Sequence, residues 1–237
     1  MPRTCVILQP SYIPWRGVFD QVRQADVFVH YDDVQYDKNG WRNRNRIKGG
    51  NGPFWLTIPV TLPAGNLATR LDEVLVADRP AWRGKHWASI RGSYARAPHF
   101  RELADWIEPY YVRAAPPGER LIDVTIPLIE HTARVLGATG TEFVRASALG
   151  AAGERSERLI AICRAVGADR YVSGPSARDY LDTAAFRAAG IDVEFARYEY
   201  APYPQLHGPF DPHVSIVDTL AMLGPAGAAR ALVAQPA

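Results

Sequence analysis

TCVILQPSYIPWRGVFDQVRQADVFVHYDD, residues 4–33, decides the fold of this chain. Thr4–Leu8 is an unbroken apolar run of strand length, the pattern of a strand covered on both faces. It stops at Gln9-Pro10-Ser11-Tyr12-Ile13-Pro14-Trp15, where two prolines end the strand and stiffen the turn. Trp15, Val18, Phe19 and Val22 then recur at helical spacing. Asp26–Tyr31 (DVFVHY) is a second strand that runs into Asp32-Asp33. A strand, a helix and a strand in so few residues predict a parallel pair with a crossover helix.

The same alternation returns near the other end. Phe143–Arg145 reads as a short strand, Glu154–Val166 as a helix closed by Gly167, and Arg170–Ser173 as a strand ending in Ser173-Gly174-Pro175-Ser176. Asp182 caps a short helix that Gly190 closes, Val193–Tyr198 is a further strand, and Ser215–Leu223 is a final helix with Gly224 after it. Between the two α/β stretches lie a hairpin and a helical segment. Tyr36–Lys48 is polar, Gly49-Gly50-Asn51-Gly52 is a turn, and Phe54–Val60 (FWLTIPV) is a strand. Leu75–Ala77 adds a short strand. Helices are expected over Arg79–Tyr94 (starting near Pro80), Phe100–Tyr111 and Arg120–Leu136. The expected fold is α/β: a mostly parallel sheet flanked by helices, with a β-hairpin insertion and a helical middle segment. Residues 1–237 form one such domain, with residues 79–137 as a helical cap or side layer.

Bulk composition narrows the function. The chain has 237 residues, 47% hydrophobic and 22% charged, with a net charge of +2. That is ordinary globular composition, and the charge is too small to point to a nucleic acid or a membrane. No apolar run approaches the length of about 18 residues that a spanning helix needs, and no signal peptide precedes the first strand. Cys5 and Cys163 lie in apolar patterns with no metal-type spacing. The expectation is a cytoplasmic protein with a small-molecule substrate, no metal and no cofactor.

In open parallel sheets, ligands sit beyond the carboxyl ends of strands. Three strand ends carry polar or stiff sequence: Gln9–Trp15, His30–Asp33 and Ser173–Ser176. Gln9, Tyr12 and Trp15 can hold the edge and face of a ligand, or form a rigid turn with core aromatics. Alternation sends Asp32 and Asp33 to opposite sides, where one can act as a base or amine anchor and the other pair with arginine. The pair can equally be an Asx turn, and it lacks a third carboxylate for Mg²⁺. In Asn43-Arg44-Asn45-Arg46-Ile47-Lys48 an extended backbone puts Asn43 and Asn45 on one face and Arg42, Arg44 and Arg46 on the other. This basic ridge suits a phosphate or carboxylate. Ser173 and Gly174 can present N–H groups to an anion, and Tyr203 and Gln205 lie in a proline-rich, lid-like loop. Among the histidines, His30 and His86 stand out.

Several of these stretches together resemble the WbqC-like protein family. The resemblance is carried by Gln9-Pro-x-Tyr12-x-Pro14-Trp15-x-Gly17-x-Phe19, by Asp32-Asp33-Val34-Gln35-Tyr36, by Asn43–Lys48 and by Gly52-Pro53-x-Trp55-Leu56-Thr57-x-Pro59-Val60. Trp82 with Lys85-His86, Tyr94, Tyr171-x-Ser173-Gly174, Tyr203-Pro204-Gln205 and Ser215-Ile216-x-Asp218 continue it. It implies a bacterial pathway enzyme of surface-glycan or specialised-metabolite biosynthesis. The activity expected is acyl or aminoacyl transfer to an amine, from a carrier-protein or coenzyme A thioester. The family pattern has His where this chain has Leu8, and His-Pro where it has Tyr200-Ala201. Those departures turn the expectation for the chemical residues to Asp33, Lys48 and His86. A fainter likeness to nucleotidylyltransferase-type folds makes a nucleotide-dependent activating enzyme the alternative; a non-catalytic sugar- or carrier-binding protein is a third.

Overall fold

The computed structural model describes residues 2–65, 68–77 and 81–233. Its centre is a five-stranded parallel sheet built from β1 (Thr4–Leu8), β2 (Val27–His30), β7 (Glu142–Arg145), β8 (Arg170–Ser173) and β9 (Asp192–Phe195), in the spatial order β7-β2-β1-β8-β9. β1 pairs with β2 through Cys5–Val27 to Leu8–His30 and with β8 through Thr4–Arg170 to Val6–Val172. It is a central strand, which is why its sequence is apolar throughout rather than alternating.

The expected α/β class holds. The alternate residues of each strand feed two separate cores. Val6, Phe28 and Val172 point into one, where α1 (Arg16–Gln24) and α4 (Leu121–Val135) supply Phe19, Val22, Ile126 and Ile129. Cys5, Ile7, Val27, Val29 and Tyr171 point into the other, against Ile160, Ile162 and Cys163 of α5 (Arg155–Ala165) and Phe186 of α6 (Thr183–Ala188). Both thiols are fully buried. α1 connects β1 to β2, and α4 leads from the insertion into β7. The last of the middle helices thus belongs to the layer flanking the sheet.

The insertion between β2 and α4 holds the hairpin of β3 (Arg44–Gly49) and β4 (Gly52–Thr57). The expected FWLTIPV strand is broken. β4 ends at Thr57, and β5 (Val60–Thr61) turns away to pair with β6 (Leu75–Val76). Pro59 forces that break, because proline has no N–H to continue the ladder. α2 (Ala81–Tyr94) packs against β3, and α3 (Phe100–Val112) packs against α2; the expected start near Pro80 lies outside the described residues.

α7 (Ile216–Ala231) also departs from expectation, because the chain becomes helical again after Gly224 instead of ending there. Gly224 breaks the helix with φ 64° and ψ 174°, and Pro225, with its fixed φ, starts the second segment. That backbone region is essentially open only to glycine. A Cβ here would also meet His99 Nδ1 at 2.6 Å. Gly224→Ala should therefore destabilise the protein by about 1–3 kcal/mol. Chemical denaturation of the two proteins measures this, and equal stability would contradict the assignment.

Candidate functional site: a crevice over the central strand

The sheet order fixes where a ligand can sit. The chain leaves β1 toward β2 on one side, whereas β8 lies on the other side and leads on to β9. The connections after β1 and β8 diverge and leave a crevice above their carboxyl ends, the usual ligand position in such sheets. Two cavities open there. One, of about 440 Å³, is lined by Trp15, Val18, Gln21, Trp41, Asn45, Tyr198 and His213. The other, of about 700 Å³, is lined by Tyr31, Arg155, Ser156, Ser173, Gly174, Ser176 and Tyr180. Leu8, Gln9 and Arg42 line both, so the two cavities meet over the end of β1.

The first loop is shaped by backbone pairing to the strand entering the hairpin. Tyr12 N–H donates to the Arg42 carbonyl at 3.1 Å, and Asn45 Nδ2 donates to the carbonyls of Tyr12 and Ile13 at 3.2 and 3.0 Å. The Asn45 clamp holds Ile13 at a φ of +36°, unusual for a β-branched residue. It also turns Tyr12 inward, while Trp15 packs edge-on against Tyr198 at the cavity wall, 4.9 Å between rings. Of the expected Gln-Pro-x-Tyr-x-Pro-Trp contacts, Gln9 and Trp15 face the crevice and Tyr12 faces the core.

The same pairing brings Arg42 over the strand end. Its Nη1 donates to the Gln9 carbonyl at 2.9 Å. Burial lowers the guanidinium's pKa, with Asp37 and Tyr36 opposing; an arginine stays charged regardless. Among the described residues it has no salt-bridge partner, its Nε is buried without an acceptor, and its Nη2 makes no hydrogen bond. A half-buried cation with donors to spare, placed between two cavities, has the chemistry to bind an anion.

The carboxylates expected here are engaged elsewhere. Asp32 is fully buried, accepting from Arg145 Nε at 2.6 Å and from the N–H and hydroxyl of Ser147 at 3.0 and 2.8 Å. Burial pushes its carboxyl up, but those three donors and the Arg145 charge outweigh it and hold the group below its ordinary value. Asp33 pairs with Arg158 at 2.5 Å, which leaves its Oδ1 buried and unpartnered. The strand ends at His30, so alternation does not place these two; both pair with arginines and neither lines the cavities over β1. His30 lies under the sheet face between Phe28 and Phe143, with Nε2 3.3 Å from Glu130. Of the second strand end, Tyr31 alone lines a cavity.

The basic ridge divides. Arg44 stacks on Trp55 with its guanidinium 4.4 Å from the ring centre, and Arg46 Nη2 donates to the His213 carbonyl at 2.9 Å. Asn43 is buried, donating to the Ile58 carbonyl at 2.8 Å. Lys48 is buried, and its ammonium donates to Gln205 Oε1 at 2.7 Å and to the Pro209 carbonyl. Gln205 and Tyr203 both donate to Asp218 Oδ1, at 2.9 and 2.7 Å, and Tyr94 donates to Oδ2 at 3.0 Å. Burial pushes Asp218 up, against these hydrogen bonds and the Lys48 charge. This network ties the hairpin, α2, the late loop and α7 together, away from the crevice. Its members Lys48, Tyr203 and Gln205 hold the walls rather than line them.

His86 is also enclosed. Its Nδ1 is 2.9 Å from Tyr12 Oη, which is itself 2.7 Å from Tyr111 Oη, and Trp82 covers it edge-on. Burial lowers its pKa to about 4, against a hydrogen bond with the backbone of Thr57, so it is neutral at pH 7. Ser173 and Gly174 do line the larger cavity, as expected. Arg155, Ser156, Gln21 and His213 were not singled out from the sequence, whereas Tyr180, which follows the Ser173–Ser176 turn, and Tyr198, which opens the proline-rich loop, belong to stretches that were. Arg155 follows Gly153 and begins α5 with a φ of +48°, and only the Gly-Glu-Arg-Ser cluster after Ala151-Ala152 marked the spot. Among the described residues, no group of three or more His, Cys, Asp or Glu is placed to hold a metal ion, and no helix is long and apolar enough to cross a membrane.

The WbqC-like protein family model matches residues 9–230, and the chain belongs to that family. It is 39% identical over 219 residues to the uncharacterized protein Rv1507c of Mycobacterium tuberculosis (strain ATCC 25618 / H37Rv). That match covers 92% of this chain and 93% of the relative. No solved structure matches.

The buried His86 has a pH consequence. Its ordinary pKa of 6.5 applies in the unfolded chain and about 4 in the folded one, so between these values only the unfolded chain takes up the proton. Stability should fall as pH drops from 6.5 to 4, by up to about 3 kcal/mol from this residue. In His86→Phe the pH slope of unfolding free energy over that window should flatten. An unchanged slope would place the acid sensitivity elsewhere.

Proposed function

We propose that this member of the WbqC-like family is a biosynthetic transferase that moves an acyl or aminoacyl group from a thioester to the amine of a small anionic intermediate. The observation that carries the reading is Arg42, a cation with free donors where the two cavities meet. One cavity carries Arg42, Arg155 and three serines on its wall, and the other is walled by Trp15, Trp41 and Tyr198. Such a pair suits a two-substrate reaction, with the charged partner at the arginines and the apolar acyl group among the aromatics. In the transfer, the amine nitrogen bonds to the thioester carbonyl carbon, the carbon–sulfur bond breaks and the thiol leaves. The amine's surplus proton passes to a base, for which we propose His213, an exposed residue lining the aromatic-walled cavity. Asp33 is bound to Arg158 and His86 is enclosed, so His213 has the better access.

A carrier-borne donor fits the ground beside that cavity. Trp41 and Trp55 are each 43% exposed and pack 5.1 Å apart, and Arg44 covers Trp55. An aromatic and cationic face at a cavity mouth suits an acidic carrier protein or the phosphates of coenzyme A.

A second reading is favoured by the sheet order, which, with its five strands counted along the chain, follows the first five positions of the doubly wound dinucleotide-binding fold. On that reading the protein activates a carboxylate or sugar phosphate with a nucleotide. Melting scans with ATP or CTP and Mg²⁺ separate the two, since a ligand that binds only the folded state raises the Tm.

For the transferase, acyl- and aminoacyl-thioesters are incubated with a panel of small amines that carry a carboxylate or phosphate, and amide products are sought by mass spectrometry. Arg42→Gln should lower kcat/KM by about 10–100-fold, the loss of one charge-assisted contact. Tight substrate binding with no turnover on any donor would sink the transferase and leave a binding protein.

A further inference from the structure

We infer that the larger cavity, between the ends of β1 and β8, is a phosphate-recognition subsite, with Arg42 and Arg155 as its paired cations. The inference rests on the crevice being the functional site and adds the chemistry of one ligand group. No Asp or Glu lines this cavity, although two arginines do. Neither arginine has a salt-bridge partner among the described residues, whereas the nearby Arg145 and Arg158 are both paired, with Asp32 and Asp33.

The hydroxyls are arranged the same way. Ser156 Oγ accepts from Asp182 N–H at 3.0 Å, so its own O–H remains to be donated. Ser173, 7% exposed, accepts from Tyr171 Oη at 3.3 Å and likewise keeps its O–H free. The polar wall is rich in donors and poor in acceptors, in a space of about 700 Å³. It calls for a ligand rich in acceptors. A carboxylate has two oxygens, enough for one guanidinium fork, whereas a phosphate or diphosphate has enough to take two arginines and the hydroxyls together.

The anion position found at the first turn of dinucleotide-binding sheets is closed in this protein. There the glycines of the first turn admit a pyrophosphate, but here the turn is Pro-Ser-Tyr-Ile-Pro. Its end is also sealed by Ile216 N–H donating to the Pro14 carbonyl at 2.9 Å and by the bridge between Trp15 and Ser215. The cationic groups stand instead over the end of β1, where Arg42 lies, and across the larger cavity, where Arg155 begins α5.

The probe is inorganic pyrophosphate, titrated calorimetrically at constant ionic strength, with citrate as the carboxylate control. Saturable pyrophosphate binding is expected, at least tenfold tighter than citrate. Arg155→Gln, at an exposed position, and Arg42→Gln should each weaken it about tenfold or more, with unchanged circular dichroism. Arg164→Gln, on α5 but outside the cavity, should leave it unchanged. Citrate binding as tightly as pyrophosphate, or full affinity in Arg155→Gln, would overturn the assignment. Displacement of pyrophosphate by a sugar monophosphate, or by coenzyme A, supports it and tells whether acceptor or donor carries the phosphate. Pyrophosphate binding in a protein that transfers no acyl group would leave the subsite standing and remove the transferase. Acyl transfer that is indifferent to both Arg155→Gln and pyrophosphate would do the reverse.

Discussion

The pairing of β1 on both of its edges is the constraint on which the rest depends. Held by β2 on one side and β8 on the other, the strand has no solvent edge and no solvent face along Thr4–Ile7. Its two faces feed two cores, so helices must cover both sides of the sheet. Because the chain departs from β1 in one direction and β8 stands in the other, the loops above them cannot close over the strand ends. A central apolar strand thus produces both the stability of the sheet and the opening above it.

The long insertion between β2 and α4 turns that opening into a shaped crevice. The hairpin strand β3 is anchored from below by Lys48, held with Gln205, Tyr94 and Asp218, and from the side by Asn45, which grips the first loop. Buried polar groups cost free energy unless each finds a partner, and a connected set of them specifies one arrangement of the segments it joins. With both ends of the strand fixed, Arg42 has little choice of position and lies over the Gln9 carbonyl. Close by, Asp32 and Asp33 are claimed by Arg145 and Arg158. The carboxylates that would have quenched the crevice's own arginines are therefore occupied.

Much of the architecture was legible in the sequence because period and punctuation encode it. The strands at Thr4–Leu8 and Arg170–Ser173, the cap at Asp182 and the hairpin turn at Gly49–Gly52 all follow local rules. Two departures lie at proline, and the expected strand Val193–Tyr198 ends early, at Phe195. Pro59 split an apparently continuous strand, and Pro225 restarted a helix that Gly224 had stopped. At Pro59 the missing N–H stops the ladder, and at Gly224 an open backbone conformation breaks the helix before Pro225 restarts it. Site residues were less legible. Tyr12, His86 and Lys48 carry reactive groups in suggestive surroundings, yet each satisfies a buried partner from a distant element.

By itself the sequence determined the class of fold, the sheet strands and the family, because apolar periodicity and a long ordered set of motifs are local properties of the chain. It also located the crevice coarsely, through the stiff polar turns after the first and eighth strands. Only the tertiary structure decided which polar groups face that crevice. An arginine, a carboxylate or a histidine reads the same in sequence whether it is neutralised by a partner or left free. Arg42, Arg155 and His213 were left facing the cavities, whereas Asp32, Asp33 and His86 were not, because the partners that claim the latter arrive from residues 29 to 125 positions away along the chain.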